Sequence, residues 1–494
     1  MFAEERTTGA MKREKHTYAT HAGGIQRGDT KLAVKVGLWY FVSSFLVKAI
    51  TFITTPFFSR MMSREAYGEF SNYASWQALL LIIVGLELYN TMSRAYYDFT
   101  EEYDQYASSI AVGASAVTLL IYVLFLIFGR WIHSVVAIPP QYVHILFFTL
   151  LFQNYKQIFL VRERTLYRYK SVAALSIIGL VVPTLIALAM VAIAPEDMRL
   201  SARIYGHYIP SSLIGVYCGI FLFRRGKTFR FSHLQYAIKL SLPLLVHYLT
   251  AYLLTSSNIF VTKSVLGASA AAVVSISGSV IHILTALFQS LSGAVTTWIM
   301  DNLKQDKAHV VRKYTLFYVA ILALCAAGVI LMAPEVIWIL GGKRYTDSIL
   351  LIPGLVVGTL ISATTSLFTI ILTYDKRVIP TAVATTIVAA LSVAAKALLL
   401  RYYGYTVLPY INIVAYSILF VVNYLLVKKA GYGSAINVKG YVVILAAVFA
   451  VMAVSSFLYA HMVIRYGVVL AVMIGMIILL IRNRKMISTF IKKK

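Results

Sequence analysis

Lys48 lies near the middle of the apolar stretch 33–58. An ammonium at the centre of a membrane helix costs roughly 3 kcal/mol or more unless it meets water or an anion. Ser44, Lys48, Thr51 and Thr55 recur at spacings of three and four, so a helix would gather them into one polar stripe. The chemistry such a stripe offers is reversible holding of an anionic group in a wet cavity. A second set lies further on. His247 and Thr250 share a face, and a polar run ends at Asn258. His282 and Gln289 fall in a series with Ser275, Ser279 and Thr296 at spacings of three, four or seven. Either histidine can titrate near neutral pH, though packing is the ordinary role of each.

Glu87 falls within the stretch 71–93, with Arg94 seven residues on along the same expected helical face. An ion pair between Glu87 and Lys48 would neutralise both. Arg60 and Lys263 sit at corresponding outer ends of two similar segments, where they can flank an outward opening, whereas Arg94 lies near a cytoplasmic end. Lys156, Lys239 and Lys396 lie towards span ends, and snorkelling explains them. No phosphate loop, zinc-type spacing or serine elbow is present, so no catalytic residue, metal ligand or cofactor is expected. Cys218 and Cys325 both sit in apolar spans, which gives no reason to expect a disulfide.

The elements that must hold these residues are membrane helices. About fourteen apolar stretches, each near the roughly 20 residues a spanning helix needs, fill the chain between Lys31 and Arg482. They read as 33–58, 71–93, 106–129, 137–160, 171–194, 202–222, 234–262, 268–300, 311–332, 345–374, 378–400, 406–427, 438–460 and 463–482. The composition agrees, with 60% hydrophobic residues, 13% charged residues and a mean hydropathy of +0.77. No turn leaves room for a water-soluble catalytic domain.

A net charge of +26 would suggest nucleic acid in a soluble protein. Here the positive-inside rule explains it, and no nucleic-acid partner is expected. With the amino terminus inside, the inner segments carry about three times as many Lys and Arg as the outer turns, so both termini are expected in the cytoplasm. The turn with Asp98, Glu101, Glu102 and Asp104 is the acidic exception and reads as a solvated loop face. Many of the 34 tyrosines lie near span ends, where they anchor at the interface. The tail 1–30 is polar and lacks the apolar core of a cleavable signal peptide.

The basic break 223–233 divides the spans into halves. The segment from Phe57 to Ser71 resembles that from Phe260 to Ser275 in its aromatic, hydroxyl and cationic residues. Six spans separate the copies, so both face the same way. The expected architecture is all-α and integral to the membrane. A first lobe of six helices (31–222) and a second (234–428) are joined by the linker 223–233 and related by a pseudo-twofold axis along the membrane normal. Helices 13 and 14 (438–482) and a basic tail (483–494) follow. Transport folds of this kind bind substrate between the lobes.

The stretch from Ile50 to Trp76, ITFITTPFFSRMMSREAYGEFSNYASW, resembles the start of bacterial polysaccharide-biosynthesis flippases of the Wzx type. These belong to the multidrug/oligosaccharidyl-lipid/polysaccharide exporter superfamily. Pro56-Phe57-Phe58-Ser59-Arg60 followed by Glu65-Ala66-Tyr67-Gly68 is similar to that family's P-x-x-S-R and E-Y-G pattern, with Ala66 inserted. The resemblance implies movement of an undecaprenyl-pyrophosphate-linked sugar repeat from the inner to the outer leaflet of the bacterial plasma membrane by alternating access. Lys48 would then help hold pyrophosphate or acidic sugar, with Arg60, Arg94 and Lys263 as gate cations. Membrane lipids, a coupling ion (H+ or Na+) and polysaccharide polymerase or glycosyltransferase partners are implied with it. A lipid II flippase or drug exporter of the same superfamily is the alternative. A polytopic sugar polymerase fits less well, for want of a sizeable outer loop.

Overall fold

The computed structural model describes residues 50–129 and 136–482, apart from the side chains at 290, 291, 293 and 294. Lys48 and Ser44, and the tails 1–30 and 483–494, lie outside the described residues. The first helix enters the description at residue 50 and ends at 61 (α1). There follow α2 (Arg64–Gly85), α3 (Met92–Asp98), α4 (Tyr103–Ile127), α5 (Val143–Thr165), α6 (Tyr169–Ile193) and α7 (Arg199–Gly226). The second half comprises α8 (Phe231–Leu266), α9 (Ala268–Lys304), α10 (Ala308–Leu331), α11 (Ala333–Gly341), α12 (Ile352–Tyr374), α13 (Val378–Tyr403) and α14 (Leu408–Lys429), then α15 (Val438–Ala460) and α16 (Met462–Arg482). The helices run alternately up and down. The basic turns at Arg162–Lys170, Arg224–Arg230, Lys304–Lys313, Lys376–Arg377 and Lys428–Lys429 therefore gather at one end of the bundle. This is called the basic end below.

Among the described residues, ten helical stretches are long and apolar enough to cross a membrane, or eleven with the bent pair α2–α3 as one span. One of them, Val378–Lys429, is divided by the 3-10 turn Gly404–Val407 into α13 and α14. Side chains such as Leu119, Leu120, Ile127, Ile193, Leu398 and Val463 are exposed on the outside of the bundle, as a hydrocarbon solvent requires.

The second span differs from expectation. α2 stops at Gly85, because Leu86 and Glu87 both take left-handed backbone conformations, with φ +47° and +54°. The chain turns by 53° before it continues to Asp98. Glu87 and Arg94 thus do not share a helical face. The Glu87 carboxylate accepts a hydrogen bond from Asn90 Nδ2 at 2.5 Å, which ties it to the break rather than to a cavity.

The two halves meet chiefly through α8 and α9 against α2. At the end opposite the basic one, this contact is a seal. Ser63, in extended conformation, caps α2 by accepting from the Ala66 amide at 3.1 Å. A Cβ on Gly68 would lie 1.8 Å from the Ala268 carbonyl oxygen, so only glycine lets α2 and α9 approach this closely. Lys263 pairs with Glu69 at 2.5 Å and Arg64 with Asp347 at 2.8 Å. Ser59 Oγ donates to the Leu340 carbonyl at 2.5 Å, and Arg60 Nη2 to that of Trp338 at 3.1 Å. The apolar core of the second half extends into the first here, through Phe58, Met62 and Tyr67.

At the basic end the recorded side-chain contacts between the halves run through the linker and α8. Glu102 pairs with Arg230 and with His233 at 3.1 Å, and the Tyr236 hydroxyl donates to Asp98. Asp104 pairs with Arg162 at 2.6 Å. The acidic turn is a solvated face, as expected, and three of its four carboxylates are also paired with neighbouring groups.

Candidate functional site

Two adjoining cavities lie beneath the seal, the first between the halves and the second within the second half. The first, of about 450 Å³, is lined by α1, α2, α6 and α7 on one side and α8 and α9 on the other. The second, of about 460 Å³, lies among α8, α9, α10, α12 and α14. Ser256, Ile259 and His282 line both, so the cavities share a wall. Each volume falls within the roughly 300–1,000 Å³ usual for small-molecule sites.

In the first cavity Thr51 and Thr55 project from α1. The Thr55 hydroxyl donates to the Thr51 carbonyl at 2.8 Å, which leaves its lone pairs to accept. Ser71 and Ser75 on α2 and Ser275 and Ser279 on α9 line the same space. The two pairs occupy corresponding positions when the helix caps Ser63 and Gly267 are aligned. Serines at matching positions in the two halves thus line one cavity. Tyr252 on α8 donates to the Ser75 carbonyl at 2.6 Å, joining the halves at this depth.

The charge in this cavity belongs to Arg203, one turn into α7. Its side chain is 92% buried (8% exposed). Its guanidinium carbon stands 3.7 Å from the ring centre of Phe70, 4.1 Å from Phe58 and 4.7 Å from Tyr67, and Nη1 lies 3.4 Å from Met62 Sδ. Ring faces attract a cation by about 0.5–2 kcal/mol each at best, but they do not accept its five N–H donors as an anion would. Among the described residues no carboxylate pairs with it. His207, one turn on, lines the same cavity.

The second cavity has another character. Among its described lining residues there is no Lys, Arg, Asp or Glu. Its polar groups are amides and hydroxyls, among them Asn258, Gln289, Thr359, Ser362 and Asn412, with Tyr318 and Tyr416 supplying aromatic surface.

The sequence candidates divide accordingly. Thr51, Thr55, Asn258, His282 and Gln289 line one or both cavities. Glu87 lies at the helix break. His247 is exposed, its ring beside Tyr248, and lines neither cavity. Arg60 and Lys263 belong to the seal, whereas Arg94 is exposed at the basic end and pairs with Asp98 at 2.9 Å. Lys396 does not snorkel. It is fully buried and donates to Ser257 Oγ at 2.9 Å across the contact of α13 with α8. Sequence reasoning missed Arg203 and His207; the signal was a cation and an imidazole four apart within the span 202–222.

The model of a family described as "polysaccharide biosynthesis protein" matches residues 57–350, more than half the chain. A Haemophilus influenzae protein of the Lsg locus is 25% identical over 328 residues, which cover 62% of this chain and 76% of that protein. Among solved structures, the lipid II flippase MurJ in an inward closed conformation matches with a TM-score of 0.68 at 15% identity, over 91% of this chain and 99% of that one. An inward-facing multidrug-resistance MATE transporter of the MOP superfamily matches with a TM-score of 0.55 at 13% identity, over 78% and 95%. The match over more than half of the chain identifies it as a member of the polysaccharide biosynthesis protein family, with a fold like that of these transporters.

Proposed function

We propose that this protein moves a lipid-linked oligosaccharide, carried on undecaprenyl pyrophosphate, from the cytoplasmic to the outer leaflet of a bacterial plasma membrane. The observation that carries the reading is Arg203, a buried guanidinium with no carboxylate partner among the described residues, lining a cavity between two halves of a polysaccharide-biosynthesis family member. Pyrophosphate and sugar cannot cross hydrocarbon, so a carrier must give them a polar path while the lipid tail stays in the bilayer. A cavity closed at one end and bounded by two similar lobes suits alternating access. The basic end faces the cytoplasm in this reading, and the seal closes the outward side. Lys48 and Ser44, upstream of Thr51 and Thr55 in the sequence, are further candidates to hold the anion, and Arg60, Lys263 and Arg94 to change partners as the ends open and close. The cycle is driven by an ion gradient (H+ or Na+), the membrane potential or the substrate's own gradient, and polymerase or glycosyltransferase partners would consume and supply the repeat.

A lipid II flippase is the second reading, favoured by the likeness in fold to MurJ. Both are tested by reconstituting the purified protein in liposomes and following leaflet exchange of fluorescent undecaprenyl-pyrophosphate sugars and of lipid II. The first reading expects exchange of the sugar lipid above protein-free liposomes, with lipid II slower. Exchange of lipid II alone would establish the second, and exchange of neither would overturn both.

A further inference from the structure

The two cavities differ in a way that general transport does not require. The first holds a guanidinium. The second, of nearly equal size, draws its polar lining among the described residues from amides and hydroxyls, with His282 on the wall it shares with the first. Within it, Asn258 and Asn412 are 9% and 6% exposed. The side-chain carbonyl oxygen of each is buried without a hydrogen-bond partner. A buried polar atom left unpaired is destabilising, and the residues that carry these two, on α8 and α14, both line this cavity. Asn412 stands where α14 packs on Gly358 of α12, and Tyr416, one turn on, also touches Gly358 and lines the cavity. The group that satisfies such a site donates hydrogen bonds, carries no charge and has an apolar face to lay against a tyrosine ring. A sugar ring has all three properties. A diphosphate has none, since it brings only acceptors.

We propose that the second cavity is a subsite for the neutral sugars of the substrate, with Asn258 and Asn412 accepting from sugar hydroxyls, while the anionic diphosphate stays on the Arg203 side. This rests on the flippase reading and adds a substrate class to it: a repeat whose first sugars, next to the diphosphate, are uncharged.

The test measures the affinity of the full-length protein in nanodiscs for bare undecaprenyl diphosphate and for the same lipid bearing N-acetylglucosamine, galactose, glucose or glucuronic acid. Wild type should bind at least one neutral-sugar lipid about tenfold more tightly than the bare lipid, and the glucuronic acid lipid no more tightly than the neutral ones. Asn258→Leu with Asn412→Leu should reduce the preference for sugar at least fivefold and leave bare-lipid affinity unchanged. Arg203→Met should weaken all the lipids alike. Should the asparagine pair fail to fold, Thr359→Val with Ser362→Ala, on α12 facing the same cavity, should lower the preference in its place. No preference for any sugar in wild type, an undiminished preference in the variants, or tightest binding of glucuronic acid would each overturn the subsite. Failure to bind even the bare lipid would instead overturn the flippase reading.

Discussion

Arg203 is the residue on which a functional account of this chain turns. Its charge is buried among three rings and a thioether, an arrangement that fixes its position but leaves N–H donors for a ligand. Arg203→Met preserves the packing against Phe58, Tyr67 and Phe70 and removes the charge. It should keep its melting temperature within a few degrees of wild type and lose at least about tenfold in transport, the scale of one hydrogen bond to a charged group. Arg203→Lys should recover little, because a point charge on a flexible stem does not reproduce a planar guanidinium stacked on rings. Full transport by Arg203→Met at matched expression would remove it from the site. At the basic end the decisive residue is Glu102. Burial alone would raise its carboxyl, but hydrogen bonds and charge from Arg230 and His233 bring it below its ordinary value of 4.5. A carboxylate depressed in the folded state contributes stability above its unfolded pKa and loses it as pH falls through the folded one. Melting temperature should therefore fall with acidification below about pH 4.5 in wild type. In Glu102→Gln it should start lower at neutral pH and fall less steeply over that range; an identical acid limb in the two proteins would contradict the role of the pair.

At the scale of the elements, the segment that resembles the flippase family is mainly the seal. Ser63 caps α2, Gly68 permits the approach to Ala268, and Ser59 and Arg60 reach carbonyls of α11. Gly68→Ala should lower stability by about 1–3 kcal/mol through overpacking, because the added methyl meets backbone. Gly475→Ala, where an added Cβ meets nothing within 4 Å, is the control and should not destabilise. Equal melting of the two variants would show that the seal is not close-packed. The helices themselves were largely legible: α9, α13, α15 and α16 begin at the residues where their apolar runs begin or within one of them. The break of α2 was not, because Leu86 and Glu87 carry no local signal for left-handed backbone. Lys396 was misread for a related reason. Whether a lysine reaches out or turns inwards depends on the facing helix, here on Ser257 of α8, and one helix's sequence does not encode its neighbour. Arg203 escaped notice because Arg199, four residues earlier, makes both look like turn charges. Asn258, His282 and Gln289 were legible because polar side chains at helical spacing stand out in apolar runs.

Over the whole molecule, a seal at one end, two cavities beneath it and basic turns at the other end make an oriented path. Reporter fusions after residues 167, 227 and 376, all at the basic end, should report cytoplasm, and one after 404 should report the outside; a 404 fusion that reports cytoplasm would overturn the orientation. The proposed function requires this path to carry a lipid-linked sugar repeat outward. Its most direct test is the leaflet distribution of lipid-linked repeats in cells from which the gene is deleted, with no other flippase present, complemented by wild type or Arg203→Met at matched expression. The account predicts repeats stranded on the cytoplasmic leaflet and no surface polymer in the deletion strain, restored by wild type and not by Arg203→Met. Normal surface polymer in the deletion strain would contradict it.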